Sequence, residues 1–309
     1  MGEIVKIVLF GNHRFIFSTE SHHLWTWKKL GHEVVALQEG VATTDDILRA
    51  CEGASVLQVT HTHGWSIAGS ITPEEMLKRV RAMGVKTFSY HLDLYFGLNT
   101  LDKRAERVGQ HWSWKVDYFF STDGAHEAEY KAAGVNHYYL PPAVVEYGCF
   151  KGQYNPQFAT DIAFTGSVGY HPEYPFRTKL IENLRRVYGG QFRVFSGMRE
   201  DALNSVYASC KILIGDHCMA GMPRYWSDRL PETCGRGGFI LYPKTEGMTI
   251  PTATYEPQNL VDIYNKVAYY LNHPQEREAI RDAAFEHVRK FDTYTNRLQE
   301  ILRVMGFQQ

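Results

Sequence analysis

The sequence lacks the marks of a membrane or secreted protein. No stretch reaches the roughly 18 consecutive apolar residues that a membrane-spanning helix needs. The start, MGEIVKIVLFGNHRF, has no basic leader followed by a long apolar core. The 5 cysteines are scattered, odd in number and never spaced as C-x-x-C, which argues against a disulfide framework and a zinc ribbon. We therefore expect a protein of the reducing cytoplasm.

The sequence also lacks a strong charge of either sign and the best-known nucleotide motifs. Net charge is -1, so no basic field of the kind that drives nonspecific DNA binding covers the whole molecule, although a local patch would not show in this sum. No G-x-G-x-x-G follows the first apolar run, and no G-x-x-x-x-G-K-[ST] occurs anywhere. These absences argue against a nicotinamide dehydrogenase and an ATPase.

What the sequence does have is short apolar runs that alternate with longer helical patterns. This alternation is typical of parallel sheets covered by helices, and 309 residues with 44% hydrophobic content suit two such domains. One helix is marked by an N-cap threonine followed by proline and an acid, Thr72, Pro73 and Glu75. The predicted strands are 4–10, 33–37, 54–61, 85–91, 116–120, 161–167, 191–197, 211–215 and 238–243.

The periodicity fails between the two halves, where Pro141 and Pro142 precede EYGCFKGQYNPQF. We therefore predict an α/β fold of two Rossmann-like, doubly wound domains, 1–150 and 151–309. The tail contains a last amphipathic helix, DTYTNRLQEILRVM.

Loops that follow the strands of the second half are the candidate binding segments, because open α/β sheets bind ligands beyond the carboxyl ends of their strands. Gly166, Ser167 and Gly169 form a small-residue loop before a helix, which suits a phosphate group. The same residues also suit a plain tight turn, and both interpretations stay open.

The segment YWSDRLPETCGRGGFILYP reads as a short helix that ends in glycines before a strand. Ser227 can cap this helix, and Arg229 and Glu232 lie three apart on one face. A glutamate there can accept hydrogen bonds from a ribose diol, and the guanidinium can meet a diphosphate. The alternative is an ion pair between these two residues on a solvated face.

Histidines of the first half lie near predicted strand ends. No ligand spacing of a known metal site is met, so we predict none. Instead His61, His63, His91 and Asp93 are candidate groups to orient or deprotonate a hydroxyl. Nearby aromatic side chains suit stacking on a sugar or base, or a plain core role.

Four segments in order resemble the C-terminal half of GT-B glycosyltransferases, in the short, often phage or bacterial, branch of group 1 enzymes. They are DIAFTGSVGYHPEYPFRTKLIENL, YASCKILIGD, YWSDRLPETCGRGGFILYP and the tail from NLVDIYNKVAYYLNHPQ to NRLQEIL, within residues 161–305. The resemblance implies two Rossmann-like domains with a cleft between them. It also implies that the final helix, 293–306, crosses back to the first domain.

The resemblance further implies a nucleotide-diphosphate sugar as donor substrate, with a UDP-sugar expected, and no bound metal or other cofactor. Glu232 matches the family's ribose-binding glutamate, and Arg229 with the loop 166–169 matches its diphosphate contacts. Arg177 and Lys244 are further candidate donor contacts. His91 stands where retaining relatives place a histidine facing the donor sugar.

One departure concerns stereochemistry. Retaining relatives carry a second glutamate eight positions before the first, and Arg224 stands there in this chain. We therefore assign neither retention nor inversion, and Asp93, His61 and His63 are candidate bases if the enzyme inverts. The acceptor could be a glycan, a protein or a hydroxymethylated pyrimidine of phage DNA, and in the last case the cytoplasm is that of the host. A nucleotide-sugar epimerase and a non-catalytic nucleotide-sugar-binding protein are the alternatives.

Overall fold

The computed structural model describes residues 3–60, 67–97, 104–169 and 174–308. They form two units, each with its own sheet. Unit 1 gathers the described residues of 1–96, 104–140 and 294–309, and unit 2 gathers Gly97 and the described residues of 141–293. No helix within these ranges is long and apolar enough to cross a membrane.

Unit 1 contains a parallel sheet with the strand order β2-β1-β3-β4-β5-β6. Its strands are β1 Lys6–Gly11, β2 Glu33–Gln38, β3 Val56–Val59, β4 Lys86–His91, β5 Tyr118–Ser121 and β6 His137–Tyr139. The first four helices are α1 Thr19–Lys29, α2 Thr44–Cys51, α3 Pro73–Ala82 and α4 Glu127–Ala132. The predicted start of α3 is confirmed, because the Thr72 hydroxyl accepts a hydrogen bond from the Glu75 amide at 3.2 Å.

Unit 2 contains a second parallel sheet, with the order β11-β10-β9-β7-β8. Its strands are β7 Thr160–Thr165, β8 Phe192–Phe195, β9 Cys210–Ile214, β10 Ile240–Pro243 and β11 Ala253–Tyr255. Its helices are α5 Pro175–Tyr188, α6 Glu200–Ser209, α7 Arg229–Gly235, α8 Leu260–Asn272 and α9 Pro274–Phe291, and the last helix, α10 Tyr294–Val304, belongs to unit 1. The side chains of Ile162 and Phe164 are buried on one face of β7 and that of Ala163 on the other, because successive strand residues point to opposite faces.

Local contacts show to which unit residues 141–150 and the last helix belong. The Val144 amide donates to the Asp292 carbonyl at 3.0 Å, and Gly148 lies against the Arg236 guanidinium. These contacts attach residues 141–150 to unit 2, ahead of the predicted division at 150. Within unit 1, α10 packs on α1, where the Tyr294 ring meets the edge of His23 at a centroid distance of 4.8 Å.

Candidate functional site

The carboxyl ends of β7, β9 and β10 meet at one edge of the unit 2 sheet. Because β9 lies between β10 and β7, the segments after these strands become neighbours. Gly166 follows β7, Asp216 lies two residues beyond β9, and α7 leads into β10. This is the edge where open parallel sheets bind ligands.

Arg229, the first residue of α7, is fixed at this edge by the chain around it. Its Nε donates to the Thr165 carbonyl at 3.1 Å, and its Nη1 donates to the Asp216 carbonyl at 2.9 Å and to Asp216 Oδ1 at 3.3 Å. A Cβ on Gly166 would lie 2.9 Å from Nη2, and Gly166 has a φ of 126°. Only glycine therefore suits this position, and the Arg229 guanidinium lies in direct contact with the loop after β7.

Arg177 and Asp216 form a buried ion pair behind Arg229. Arg177 Nε donates to both carboxylate oxygens of Asp216, at 3.1 and 2.9 Å, and its guanidinium lies over the Tyr174 ring at 3.8 Å. Asp216 thus lies between two guanidiniums, which compensates for removing its charge from water. Asp216 was not among the residues predicted from the sequence, although its place two residues after a buried strand is a usable signal.

Glu232 is held by a residue that the sequence analysis also did not name. Its Oε2 accepts a hydrogen bond from Arg236 Nε at 2.6 Å, and Arg236 in turn donates to Asn204 Oδ1 at 2.6 Å. Burial raises the pKa of the Glu232 carboxyl above its ordinary value, although the charge of Arg236 acts in the opposite direction. The alternative of an ion pair between Arg229 and Glu232 is wrong, because each side chain has a different partner.

Two local predictions for this helix have different outcomes. Ser227 does not cap it: α7 begins at Arg229, Asp228 takes the N-cap position, and the Ser227 amide donates to the Tyr242 hydroxyl at 3.0 Å. The glycines behave as predicted. A Cβ on Gly238 would lie 2.7 Å from Thr233 Cγ2, so its absence lets the chain turn tightly into β10.

His217 is a further buried group at this edge that the sequence analysis missed. Its ring stacks on Tyr242 at 5.4 Å, and its Nδ1 has no hydrogen-bond partner among the described residues. Burial, with a smaller effect from the charge of Arg229, lowers the pKa of His217 to about 3. The imidazole is therefore neutral at physiological pH.

The other predicted donor contacts lie at the surface of the same edge. Ser167 and Gly169 are exposed in the loop after β7. Lys244 follows β10 and pairs with Glu256 at 3.1 Å, with both side chains more than half exposed.

The candidate groups of unit 1 are spread over different environments. His91, at the end of β4, is buried against Tyr95 at a ring distance of 5.0 Å, whereas Asp93 is exposed. His61 and His63 lie outside the described residues. The aromatic side chains considered for stacking are core residues at five positions, namely Trp27, Tyr90, Tyr95, Trp112 and Trp114.

Glu20 is a buried carboxyl group at the carboxyl edge of the unit 1 sheet. It lies against Gly11, the last residue of β1, where a Cβ would come within 2.6 Å of Glu20 Cγ. Burial raises the pKa of Glu20, although hydrogen bonds from Ser18 and Thr60 act in the opposite direction. No motif pointed to this residue, because its environment depends on the contact between α1 and the ends of β1 and β3.

Among the described residues, no three His, Cys, Asp or Glu side chains are grouped so that they could hold a metal ion.

Comparison with known proteins identifies the architecture. Residues 177–303 match the family model described as "Glycosyl transferase-like". No curated protein matches the chain significantly.

Three of the matching solved structures illustrate the likeness, and each covers nearly the whole chain. Anabaena Alr3699/HepE in complex with UDP and glucose matches with a TM-score of 0.63 and 8% identity, over 97% of this chain and 99% of that chain. T4 phage BGT in complex with UDP-glucose matches with a TM-score of 0.56 and 12% identity, over 97% and 98%. A Listeria monocytogenes protein described as a UDP-N-acetylglucosamine 2-epimerase matches with a TM-score of 0.53 and 9% identity, over 98% and 97%.

The predicted α/β architecture of two Rossmann-like domains is thereby confirmed. The chain has the GT-B glycosyltransferase fold, and over residues 177–303 it matches the glycosyl transferase-like family.

Proposed function

We propose that the protein is a glycosyltransferase that binds a nucleotide-diphosphate sugar, with UDP as the nucleotide, at the edge of unit 2 that carries Arg229 and Glu232. The observation that carries the proposal is how these two side chains are hydrogen-bonded. Each is held in place by hydrogen bonds through some of its polar atoms, while another polar atom of the same side chain remains available to a ligand. Within the described residues, Glu232 Oε1 and Arg229 Nη2 make no hydrogen bond.

The available atoms suit the two ends of a nucleoside diphosphate. A carboxylate oxygen accepts hydrogen bonds from ribose hydroxyls, and a guanidinium N–H beside a glycine loop donates to a phosphate oxygen. Because Arg236 and Asp216 already orient these groups, little side-chain entropy is lost on binding. Arg177 supports Arg229 through Asp216, while Ser167, Gly169 and Lys244 remain proposed surface contacts.

Transfer also needs a group that takes the proton of the acceptor hydroxyl. In unit 1, His91 and Glu20 are the described candidates at the carboxyl edge of the sheet, with exposed Asp93 beside them. Glu20 has the chemistry of a base whose raised pKa lies closer to neutrality. The proposed reaction uses the donor as a substrate, with no resident cofactor or metal. We place it in the cytoplasm, the host cytoplasm if a phage encodes the chain.

A thermal-shift screen of nucleotides tests the donor proposal. UDP should raise the melting temperature, because a ligand that binds only the folded state stabilises it. If uridine is the base of the donor, as proposed, GDP and ADP should raise the melting temperature less. Glu232→Ala should abolish the shift, and Glu286→Ala, on the exposed side of α9, should leave it unchanged. Absence of a shift with every nucleoside diphosphate would remove the proposal.

An epimerase is the second candidate, favoured by the match to the Listeria monocytogenes protein. Incubation of the protein with UDP-glucose and with UDP-N-acetylglucosamine, without acceptor, separates the two activities. A transferase releases UDP and free sugar slowly, whereas an epimerase converts the intact nucleotide sugar into its epimer. If the epimer accumulates, the protein is an epimerase and the proposed transferase function is wrong.

A further inference from the structure

A pocket of about 410 Å³ opens in unit 2 at the opposite end of the sheet from Arg229. Thr160 and Cys210, the first residues of β7 and β9, line it. Since a strand rises about 3.3 Å per residue, the two ends of β7 are roughly 16 Å apart. Neither Arg229 nor Glu232 lines this pocket, and its volume is within the usual range for small-ligand sites.

A buried arginine with one hydrogen bond lines this pocket. Arg277 is 8% exposed, and its Nη1 donates to the Tyr270 carbonyl near the end of α8 at 2.8 Å. Its charge has no carboxylate partner within ion-pair distance among the described residues, and burial lowers its pKa. The charges of Glu278 and Asp161 act on this pKa in the opposite direction from beyond ion-pair distance, so the buried guanidinium is only partly compensated and suits a further anion.

Other polar groups in the pocket define the kind of anion. Arg281 lies one turn after Arg277 on α9, so the two guanidiniums can share one multivalent anion, although Arg281 also pairs with Asp282 at 3.0 Å. Lys211 is already paired with Asp161 at 2.6 Å. Asp161 and Glu278 add acceptors to the lining, which favour a ligand that also carries hydroxyl groups.

We infer that this pocket binds a small phosphate monoester, with the phosphate on Arg277 and Arg281 and hydroxyl groups on the acidic side. The ligand class is that of sugar phosphates, and inorganic phosphate shares its anionic chemistry. The site is independent of the proposed donor site and does not require that proposal to hold.

Isothermal titration with inorganic phosphate and with glucose 1-phosphate tests the inference. All titrations use an Arg229→Gln background, because Arg229 offers a separate place for anions. In this background, Arg277→Gln should weaken binding about tenfold or more, since it removes charge-assisted hydrogen bonds. Arg277→Lys should retain part of the affinity, and Arg289→Gln, on the same helix outside the pocket, should retain all of it.

The two probes distinguish the source of the ligand. Tighter binding of glucose 1-phosphate assigns the pocket to a phosphorylated sugar, whereas equal binding assigns it to the phosphate group alone. Circular dichroism checks the fold of each variant. If Arg277→Gln does not fold, Arg281→Gln is tested instead, with the same expected direction. The inference is overturned if neither probe binds at millimolar concentration, or if binding persists unchanged in the folded pocket variant.

Discussion

At the scale of single residues, Asp216 is the centre of the candidate site. It is buried, and it bonds the guanidiniums of both Arg177 and Arg229. Removing one partner of a buried ion pair leaves the other charge uncompensated, which costs far more than removing a surface pair. Asp216 therefore has a role in stability as well as in placing Arg229.

Asp216→Ala should lower the free energy of unfolding by about 3–5 kcal/mol, because the buried Arg177 and the largely buried Arg229 lose their carboxylate. Urea denaturation followed by fluorescence measures the change. Asp282→Ala is the matched control, since Asp282 pairs with Lys151 and Arg281 while half exposed. Its cost should be no more than about 1 kcal/mol. Equal losses in the two variants would contradict the assigned role of Asp216.

Replacing Glu20 should change the free energy of unfolding in the opposite direction to replacing Asp216. A carboxyl group whose pKa is raised in the folded state contributes stability below its unfolded pKa and loses it as pH rises through the folded pKa. Glu20→Gln should therefore raise the free energy of unfolding at pH 7 and change it little at pH 4. Denaturation at both pH values measures this, with Glu33→Gln as the exposed control. A loss of stability at pH 7 would show that Glu20 is held as a stabilising carboxylate.

The identities of Arg229 and Glu232 were accessible from the sequence, whereas most of their partners were not. Arg229 and Glu232 stood out because they follow a buried strand in a recognisable motif. Asp216 reaches Arg229 only because β9 places it there, 13 residues away in sequence. Arg236 is different: it lies four residues after Glu232, a spacing that predicts a helical ion pair.

At the scale of elements, the turn from β7 determines the shape of the site. Gly166 combines a positive φ with close approach to Arg229 Nη2. Gly166→Ala should therefore displace Arg229 and weaken UDP binding about tenfold or more, the size of one charge-assisted hydrogen bond. Isothermal titration measures the affinity.

Gly190→Ala is the matched control for this turn. A Cβ at Gly190 meets nothing within 4 Å, and the residue lies between α5 and β8. Its replacement should leave UDP affinity unchanged and alter stability by less than about 1 kcal/mol. The account of the turn fails if Gly166→Ala binds UDP as well as the control.

Elements with strong local signals were predictable, and weak ones were not. The apolar runs located the strands of both sheets except β6 and β11, and Thr72 with Pro73 located α3. Helix α2 was missed because its capping box uses Asp46 in place of the usual glutamate or glutamine. Strand β11 spans only three residues, Ala253–Tyr255, which is too short for an alternating pattern to be recognised.

At the scale of the whole molecule, each unit contains a buried neutral histidine. Burial lowers the pKa of His23 in unit 1 and of His217 in unit 2 to about 3. A group whose folded pKa is depressed contributes stability above its unfolded pKa, near 6.5, and loses it as pH falls. Both units should therefore become less stable in mild acid.

Between pH 7 and pH 5, we expect each histidine to lower the free energy of unfolding by about 2 kcal/mol. The figure follows from about 1.4 kcal/mol for each pH unit below the unfolded pKa of about 6.5. Urea denaturation across this range measures it, and His23→Gln and His217→Gln should each flatten the dependence. His273→Gln is the control, because His273 is exposed at the end of α8. An unchanged slope in both buried-site variants would show that other groups cause the acid sensitivity.

The central claim, that Glu232 holds the ribose of a nucleoside diphosphate, is tested most directly by titrating UDP and 2′,3′-dideoxy-UDP into the native protein and Glu232→Gln. The native protein should bind UDP about tenfold or more tightly than the dideoxy analogue, since the carboxylate would lose its hydroxyl donors. In Glu232→Gln this preference should largely disappear. Equal affinity of the native protein for the two nucleotides, or a preference that Glu232→Gln retains in full, would contradict the account.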